Sequence, residues 1–218
     1  MNIFKHYNLA IIGLHHLVLL YGIIIYGFNI YVALGILLYT MLYNILINSD
    51  LVHLRMAHKP YKDGPIEIFA TIFTCIAGGS GSPLSFAYVH RMHHRHVDTE
   101  LDPHSPKYIG NWRVWFLLWK VGPLNPSYIK DYIKSDFQMF MHRHWTKLQL
   151  LSLALFWYIN PLIVIFIISP TVVATLHFSG LINVRGHLYG EVRNIPEIMP
   201  TQPLTWRHKE HHQHKFKV

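Results

Sequence analysis

The sequence is poor in cysteine and in charged residues. Cys75 is its one cysteine in 218 residues, which excludes a disulfide framework and any metal site built from several thiolates. Charged residues make up 14% of the chain, against about 25% in ordinary soluble domains, while hydrophobic residues make up 51%. This balance argues against an ordinary soluble fold. A metal bound here would be bound by histidine, of which the chain has 18.

Charged side chains are missing altogether from two long blocks. No Lys, Arg, Asp or Glu occurs in residues 8–49 or 148–184, which are 42 and 37 residues long. Because one helix crosses the hydrocarbon core of a bilayer in about 20 residues, each block predicts two transmembrane helices joined by a tight turn. The turns are expected at Gly27–Asn29 and Ser169–Pro170. The four predicted spans are 8–26, 30–50, 148–168 and 170–188.

The 19 basic residues collect on one side of such an arrangement. Lys5 precedes the first block, twelve lie between residues 51 and 147, and six follow residue 184. By the positive-inside tendency this side is the cytoplasm, where we also expect both termini and the segments 51–147 and 189–218. The net charge of +8 then suits a membrane surface or an acidic partner, and no nucleic acid is expected to bind.

The predicted fold class is therefore an all-α integral membrane protein. Its four transmembrane helices form two hairpins, and a cytoplasmic helical cap completes a single domain over residues 1–218. Within the cap, Ile66 to Ala77 is apolar but too short to span a bilayer. This segment is either an interfacial or re-entrant helix or a helix packed inside the cap, and it is followed by the Gly- and Ser-rich loop 78–83.

Half of the histidines form short clusters in or beside the predicted cytoplasmic segments. Spacings of three and four residues place side chains on one face of a helix, so two of the clusters each present three imidazoles together. Nine imidazoles are too many for one metal ion and about right for two, and imidazole suits iron, zinc, copper and nickel alike. The nine are His53 and His58; His90, His93 and His94; His187; and His208, His211 and His212.

Two details of this pattern leave alternatives open. His53 and His58 are five residues apart, and in a straight α-helix this spacing points the two side chains roughly 140° away from each other. They would therefore need either a helix end that unwinds or two different metal ions to bind. Each cluster alone also has an ordinary explanation, such as surface histidines or a solvated His-rich tail. The recurrence of these spacings on one side of the membrane favours a metal site. The remaining nine histidines are interpreted as non-ligands, and we expect interhelical hydrogen bonds for His15, His16 and His177 inside the spans.

The clusters resemble the histidine boxes of the membrane fatty acid desaturases, most closely the acyl-CoA and acyl-lipid Δ9-type group. The first box is His53 and His58, followed by Tyr61 and Lys62; the second is His90-Arg-Met-His-His, with Asp-Pro-His at 102–104. Asn183 and His187 resemble the extra Asn and His ligand pair, and His208, His211 and His212 resemble the third box. Two departures stand out. The usual Gly-Glu-Gly run before the third box is replaced by residues 204–207, and Lys209 stands where Asn is usual.

The resemblance implies a di-iron centre whose metal ligands are the nine histidines and Asn183. Such a centre would use O2 to introduce a cis double bond into a fatty acyl chain, at the Δ9 position. No further catalytic residue is expected. The substrate would be an acyl-CoA or acyl-lipid, in contact with membrane lipid. The chain has no haem-attachment or nucleotide-binding motif, so the family's external electron donor, ferredoxin or cytochrome b5, is implied. The alternatives are a membrane di-iron hydroxylase or ketolase and, more remotely, a His-rich metal transporter or sensor.

Two sets of neighbouring residues are candidates for supporting roles. Carboxylates orient metal-bound imidazoles, so acidic residues beside the clusters are candidates for that contact. They are Asp50, Asp98, Glu100, Asp102 and Glu210. Aromatic residues after the second cluster either line a tunnel for the acyl chain or form a belt at the membrane interface. They are Trp112, Trp115, Phe116 and Trp119.

Overall fold

The computed structural model describes residues 7–27, 29–78, 81–119, 125–198, 205 and 207–213, and every regular element in these ranges is helical. The helices are α1 (Tyr7–Tyr26), α2 (Ile30–Leu42), α3 (Pro65–Phe73), α4 (Pro83–His96), α5 (Pro106–Ile109), α6 (Asn111–Trp115), α7 (Lys130–Ile133), α8 (Asp136–Ile159), α9 (Pro161–Ile163), α10 (Ser169–Gly186) and α11 (His208–Gln213). Three π-helical stretches (Tyr43–Ala57, Thr74–Gly78 and Val164–Ile168) and two 3₁₀ turns (Pro126–Ile129 and Leu188–Gly190) complete them. The all-helical prediction is confirmed for these residues.

Among the described residues, three helices are long and apolar enough, by length and composition, to cross a membrane: Leu9–Tyr26, Ile30–Ala57 and Pro161–Gly190. The first agrees with the expected span 8–26. The second begins where expected but runs past residue 50 to Ala57, because α2 continues without a break into a π-helix. Their outward surfaces are apolar, with Leu17 65% and Tyr31 82% exposed. Such surfaces are stable against lipid rather than water.

The expected turn at Ser169–Pro170 is wrong. The chain bends instead at Asn160, whose backbone is extended and whose side chain accepts a hydrogen bond from the Leu162 N–H at 3.0 Å. Pro161 then begins the next helix. Proline disfavours a helical conformation for the residue before it, here Asn160, and is itself favoured in the first turn of a helix. The boundaries 148–168 and 170–188 are thereby corrected to a helix ending at Ile159 and one running from Pro161 to Gly190.

Pro170 lies within that last helix rather than at a hairpin. The five residues before α10 form a π-helical turn, Val164–Ile168, in which the Ser169 N–H bonds to the Val164 carbonyl. A π-turn is one of the local adjustments by which a helix accommodates an interruption of its ordinary ladder. Proline therefore does not have to end the helix here.

Three clusters of buried hydrophobic residues join these helices within the described part of the chain, and the one formed by Leu153, Val164, Ile168 and Val172 packs α8 against the last long helix. The largest one lies between the end of the π-helix Tyr43–Ala57, α3, α4 and α7, and includes Met56, Ala70, Tyr88 and Tyr132. A second joins α1, the π-turn Thr74–Gly78 and α8 through Ile11, Cys75, Met141 and Trp145. The helix expected at 66–77 is present as α3 and its π-helical end. It buries Ala70 and Thr71, while Ile66, Phe69 and Ile72 stay exposed. Residues 79–80, which are part of the loop expected after this helix, lie outside the described residues.

The histidines inside the apolar helices make the expected interhelical hydrogen bonds. His15 Nδ1 lies 3.0 Å from Ser169 Oγ, and His16 Nε2 lies 3.1 Å from His177 Nε2. Trp115 Nε1 donates to His177 Nδ1 at 2.9 Å, and His16 Nδ1 donates to a main-chain carbonyl one turn earlier. Since His177 Nδ1 accepts a hydrogen bond from Trp115, its Nε2 is the donor to His16. This chain of hydrogen bonds ties α1, α6 and α10 together.

Candidate metal centre

The π-helix Tyr43–Ala57 explains how His53 and His58 reach one place. Its hydrogen bonds join residues five apart, and the last one runs from the His58 N–H to the His53 carbonyl at 3.1 Å. Residues i and i+5 therefore lie one above the other, as i and i+4 do in an α-helix. The two rings are 4.7 Å apart and their Nε2 atoms 3.2 Å apart. The spacing of five is thus a π-helical repeat, and neither an unwound end nor separate metals are needed to explain it.

Helix α4 presents three histidines and is fixed at its start. Ser82 caps it by accepting from the Ser85 N–H, and Pro83 occupies the first turn. The Ser82 hydroxyl also lies 2.7 Å from His142 Nδ1 on α8, with both side chains buried. This contact fixes α4, which carries His90, His93 and His94, against α8.

The end of α10 and helix α11 close the site from the other side. His187 follows α10, and His208, His211 and His212 lie on α11. Gly186 permits this approach, because a Cβ at that position would stand 2.6 Å from His208 Nε2 and the imidazole would have to move.

A first group of five histidines converges where these elements meet. One nitrogen from each ring lies within 4.8 Å of the nitrogens of the other four. His58 Nε2 is 2.9 Å from His90 Nε2, and His94 Nε2 is 3.0 Å from His211 Nε2. This group, called the first group below, consists of His53, His58, His90, His94 and His211.

A second group of histidines lies directly beside the first. Nitrogens of His93, His187 and His212 fall within the same 4.8 Å limit, and His208 Nε2 is 3.2 Å from His187 Nε2. The ring of His212 also stacks on His94 of the first group, with centroids 4.2 Å apart. These four histidines form the second group. The structure thus brings all nine histidines singled out in the sequence into two adjacent groups.

Two carboxylates stand behind the second group. His93 Nδ1 is 2.8 Å from Asp102 Oδ2, and His187 Nδ1 is 3.0 Å from Asp98 Oδ2. Each carboxylate can only accept, so each ring carries its proton on Nδ1 and directs the lone pair of Nε2 into the group. Asp98 adopts a left-handed backbone conformation (φ 55°), which Asp tolerates, and its N–H donates to Asp102 at 2.9 Å. Burial alone would raise the pKa of Asp98, but hydrogen bonds from His187 and Ser105 lower it below the ordinary value.

Burial keeps the histidines at the centre uncharged. The pKa values of His90, His93 and His94 lie below the ordinary value because the rings are buried and because other histidines stand beside them. Burial together with His187 lowers the pKa of His208 to about 3. These rings are neutral at pH 7, and neutral imidazole is the form that binds a metal ion.

The donor set fits two transition-metal ions. Several neutral imidazole nitrogens aimed at one another within 4.8 Å repel through their lone pairs unless a proton or a cation lies between them. The carboxylates behind two of the rings are the usual outer partners of metal-bound histidine. Imidazole suits iron, zinc, copper and nickel, so the donors indicate a metal centre without choosing the metal.

The other candidate residues divide between this site and the surface. Glu210 pairs with Arg207 at 2.6 Å on the surface, and Asp50 and Glu100 are exposed, so among the five acidic candidates Asp98 and Asp102 are the ones that contact the site. Asn183 lies half-buried in α10, one turn before His187, and its role as a ligand stays a prediction.

The four aromatic candidates do not share one wall. Trp119 stands 5.2 Å from the ring of His104, which itself stacks on His93. Trp115 and Phe116 instead contact His177 on α10, and Trp112 is 71% exposed. Trp112 is therefore not part of a buried tunnel wall, and its exposure suits the alternative of a belt at the membrane interface.

A buried arginine that supports the site was missed from the sequence. Arg91 is bound by both oxygens of Asp131, at 2.7 and 2.8 Å, and donates to the main-chain carbonyls of Ala57 (2.7 Å), Lys59 (2.9 Å) and Tyr128 (2.8 Å). It therefore joins α4 to the end of the π-helix that carries His53 and His58. The signal was present: Leu84, Ala87, Tyr88 and Arg91 follow a helical repeat, which places this arginine on the buried face.

Comparison with known proteins agrees with the histidine motifs. No protein-family model matches the chain. Acyl-CoA desaturase 1 of Saccharomyces cerevisiae is 32% identical over 108 residues, which are 46% of this chain and 20% of the relative. Stearoyl-CoA desaturase of Capra hircus is 33% identical over 102 residues (46% and 28%), and Delta-9 acyl-lipid desaturase 2 of Arabidopsis thaliana is 33% identical over 69 residues (31% and 21%).

The matched stretches span less than a third of the length of these curated relatives. All three relatives are named as desaturases. The resemblance to acyl-CoA and Δ9-type desaturases that the histidine clusters indicate is therefore confirmed as a sequence similarity.

Proposed function

We propose that this protein is an O2-dependent fatty acyl desaturase with a histidine-ligated di-iron centre. The observation that carries the proposal is the meeting of nine histidines from the π-helix, α4, α10 and α11 in two adjacent groups. The similarity to named desaturases supports the reaction class and is the reason for choosing iron over other imidazole-binding metals. Both groups together would hold two iron ions, with Asn183 as an additional ligand in the second group.

The two irons would supply the oxidising power, using O2, that removes two hydrogens from adjacent methylenes. An unactivated C–H bond offers no acidic proton, so the contribution of the chain is ligation and positioning. Asp98 and Asp102 hold the Nδ1 protons of His187 and His93 and so fix which nitrogen faces the metal. Burial keeps His90, His93, His94 and His208 neutral, which is the form that binds a metal ion.

We propose an acyl chain carried by coenzyme A or by a lipid as the substrate, with a cis double bond formed at Δ9. The names of the relatives support both statements. Two electrons per turnover would come from a separate acidic carrier, ferredoxin or cytochrome b5, for which the basic segments of this chain have the complementary charge.

We further propose that the metal centre and both termini lie on the cytoplasmic side, with Leu9–Tyr26, Ile30–Ala57 and Pro161–Gly190 crossing the bilayer. The C-terminal half of α8 would enter it as a fourth element. Leu151, Leu155, Tyr158 and Ile159 on this half are between 54% and 89% exposed, which suits lipid contact.

The test is expression of the chain in a host that lacks its own desaturase, followed by fatty acid profiling. A new cis-monounsaturated acyl chain is expected, and it should disappear in the His93→Ala and His211→Ala variants, one for each group, while both proteins still insert. His144→Ala is a matched control, because this half-buried histidine contacts Phe140 on α8 and belongs to neither group.

Hydroxylated lipids without new double bonds would assign the protein to the hydroxylases instead. Retained desaturation in either site variant would contradict the ligand assignment. Metal uptake across the membrane without any change in lipids would favour a transporter.

A further inference from the structure

We propose that the segment Pro106–Trp119, called the interfacial segment here, binds the headgroup region of an anionic bilayer beside the metal centre. It contains α5 and α6 and carries Lys107 and Arg113 but no acidic residue. Tyr108 and Trp112 on it are 43% and 71% exposed, and Trp112 stacks on Phe116 with the ring planes only 10° apart. Exposed aromatic rings beside basic side chains are the composition of a membrane interface.

The contacts of the interfacial segment with the helix Pro161–Gly190 indicate how deep the segment would lie in the bilayer. At one end, a Cβ on Gly190 would stand 2.6 Å from Lys107 Cδ, so α5 lies level with the end of that helix. At the other end, a Cβ on Gly180 would stand 2.7 Å from the main-chain oxygen of Trp115, so α6 lies against the middle of α10. Of the stretch between these glycines, Gly180 to Gly186 is α-helical, which is about 9 Å along the helix axis, and the turn Leu188–Gly190 follows it.

This distance exceeds the thickness of one interfacial layer, which is roughly 5–8 Å on each side of the hydrocarbon core. If Pro161–Gly190 crosses the bilayer, as proposed above, Lys107 lies at the phosphates and Trp115 reaches the edge of the hydrocarbon. Trp112, in the first turn of α6, lies between them at the depth where tryptophan is enriched. A free phosphate compound would account for Lys107 and Arg113 but not for an exposed Trp112 at this level, so a lipid is the occupant that fits.

The segment is also joined directly to the metal centre. Ser105, the residue before α5, donates to Asp98 Oδ1 at 2.8 Å, and Asp98 binds His187 of the second group. Contact with headgroups would therefore hold the second group at the membrane surface, within reach of an acyl chain that remains in the bilayer.

The experiment uses the full chain reconstituted in vesicles whose lipids carry bromine at a shallow or a deep acyl position, with tryptophan fluorescence as the readout. Trp112→Phe should lower the quenching by shallow bromine and leave the quenching by deep bromine nearly unchanged. Trp119→Phe is the matched control on the same segment, and because this ring packs inside the protein its loss should change neither.

Lipid charge is tested in mixed vesicles in which either phosphatidylglycerol or phosphatidylcholine carries the bromine. Each basic residue near an anionic surface strengthens binding to it by about fivefold, so brominated phosphatidylglycerol should quench Trp112 more strongly than brominated phosphatidylcholine. Lys107→Gln combined with Arg113→Gln should remove the difference.

Quenching that is unchanged in Trp112→Phe would overturn the proposal, because Trp112 would then be covered by protein. Equal quenching by the two lipids in the unaltered chain would overturn its anionic part. Resistance to alkaline extraction reports insertion of the long helices separately, and none of these readouts depends on desaturase activity.

Discussion

Replacing Arg91 with methionine is expected to destabilise the protein and to loosen both histidine groups. The substitution keeps the length of the side chain but removes every hydrogen bond of the guanidinium. Asp131 then keeps a buried negative charge, with its carboxylate 12% exposed, and four main-chain carbonyls lose the hydrogen bond from Arg91. Removing one partner of a buried ion pair costs about 3–5 kcal/mol, because the other charge stays behind without compensation.

For a chain of this length, that loss corresponds to a fall of roughly 6–20 °C in the thermal midpoint. The milder variant Asp131→Asn keeps an acceptor for the Tyr61 N–H, now 2.6 Å from Asp131 Oδ2, and removes only the charge. It should cost about 1.5–3 kcal/mol, the usual value of a charge-assisted hydrogen bond, because the charge of Arg91 still has its main-chain carbonyl acceptors. Arg91→Met is therefore expected to be the more damaging of the two.

The assay is thermal unfolding of detergent-solubilised protein, together with the number of metal ions retained per chain. Arg95→Met is the control: this arginine lies on α4 one turn further on, is exposed, and faces the ring of Tyr128 at 5.7 Å. Its loss should leave the midpoint within about 1 °C, as is usual for surface substitutions. If Arg91→Met and Arg95→Met behaved alike, Arg91 would not be holding the two ligand-bearing elements together.

Three further outcomes are expected. Asp102→Asn weakens the hydrogen-bond acceptor behind His93 and should lower metal affinity about 10–100-fold in a chelator competition. Glu100→Gln, at an exposed position, is the control and should leave the affinity unchanged. Equal affinities of the two variants would count against the carboxylate contact. Burial lowers the pKa of His142 to about 4 from 6.5, so the folded state favours the neutral ring and stability falls by about 2 kcal/mol from pH 8 to pH 5. His142→Gln should therefore show a smaller loss of thermal midpoint over that range than the unaltered chain, and an identical loss would refute the assignment. Gly180→Ala should cost about 1–3 kcal/mol by forcing α6 away from α10, measured as a lower midpoint; an unchanged midpoint would show that the two helices can separate freely.

Much of the site could be predicted because metal ligation constrains residue type and spacing together. The nine histidines recur in spacings that a shared site would explain, and two of the five acidic residues beside them contact the histidine groups. The pair His53 and His58 shows what residue spacing alone does not predict. The period of five between His53 and His58 conflicts with an α-helix, and nothing in the composition of residues 43–57 announces a long π-helix, since that geometry depends on how the surrounding helices pack.

Helix boundaries were harder to predict than helix existence. Both Ser169–Pro170 and Asn160–Pro161 are turn-like pairs in an uncharged block, and hydropathy treats them alike. The difference lies in the first residue of each pair: Asn160 caps the following helix with its side chain, whereas the π-turn before Ser169 lets the helix continue. Contacts with distant residues, such as that between Arg91 and Asp131, are set by the tertiary fold and not by local spacing.

The two helices α4 and α11 each serve both histidine groups at once. His90 and His94 face the first group while His93 between them faces the second, and the neighbours His211 and His212 divide in the same way. An ion in either group would therefore order the same two helices that the other group requires. The two binding equilibria are thermodynamically linked, and we expect the first ion to lower the dissociation constant of the second. Chains holding a single ion should then be scarce at every stage of a metal titration.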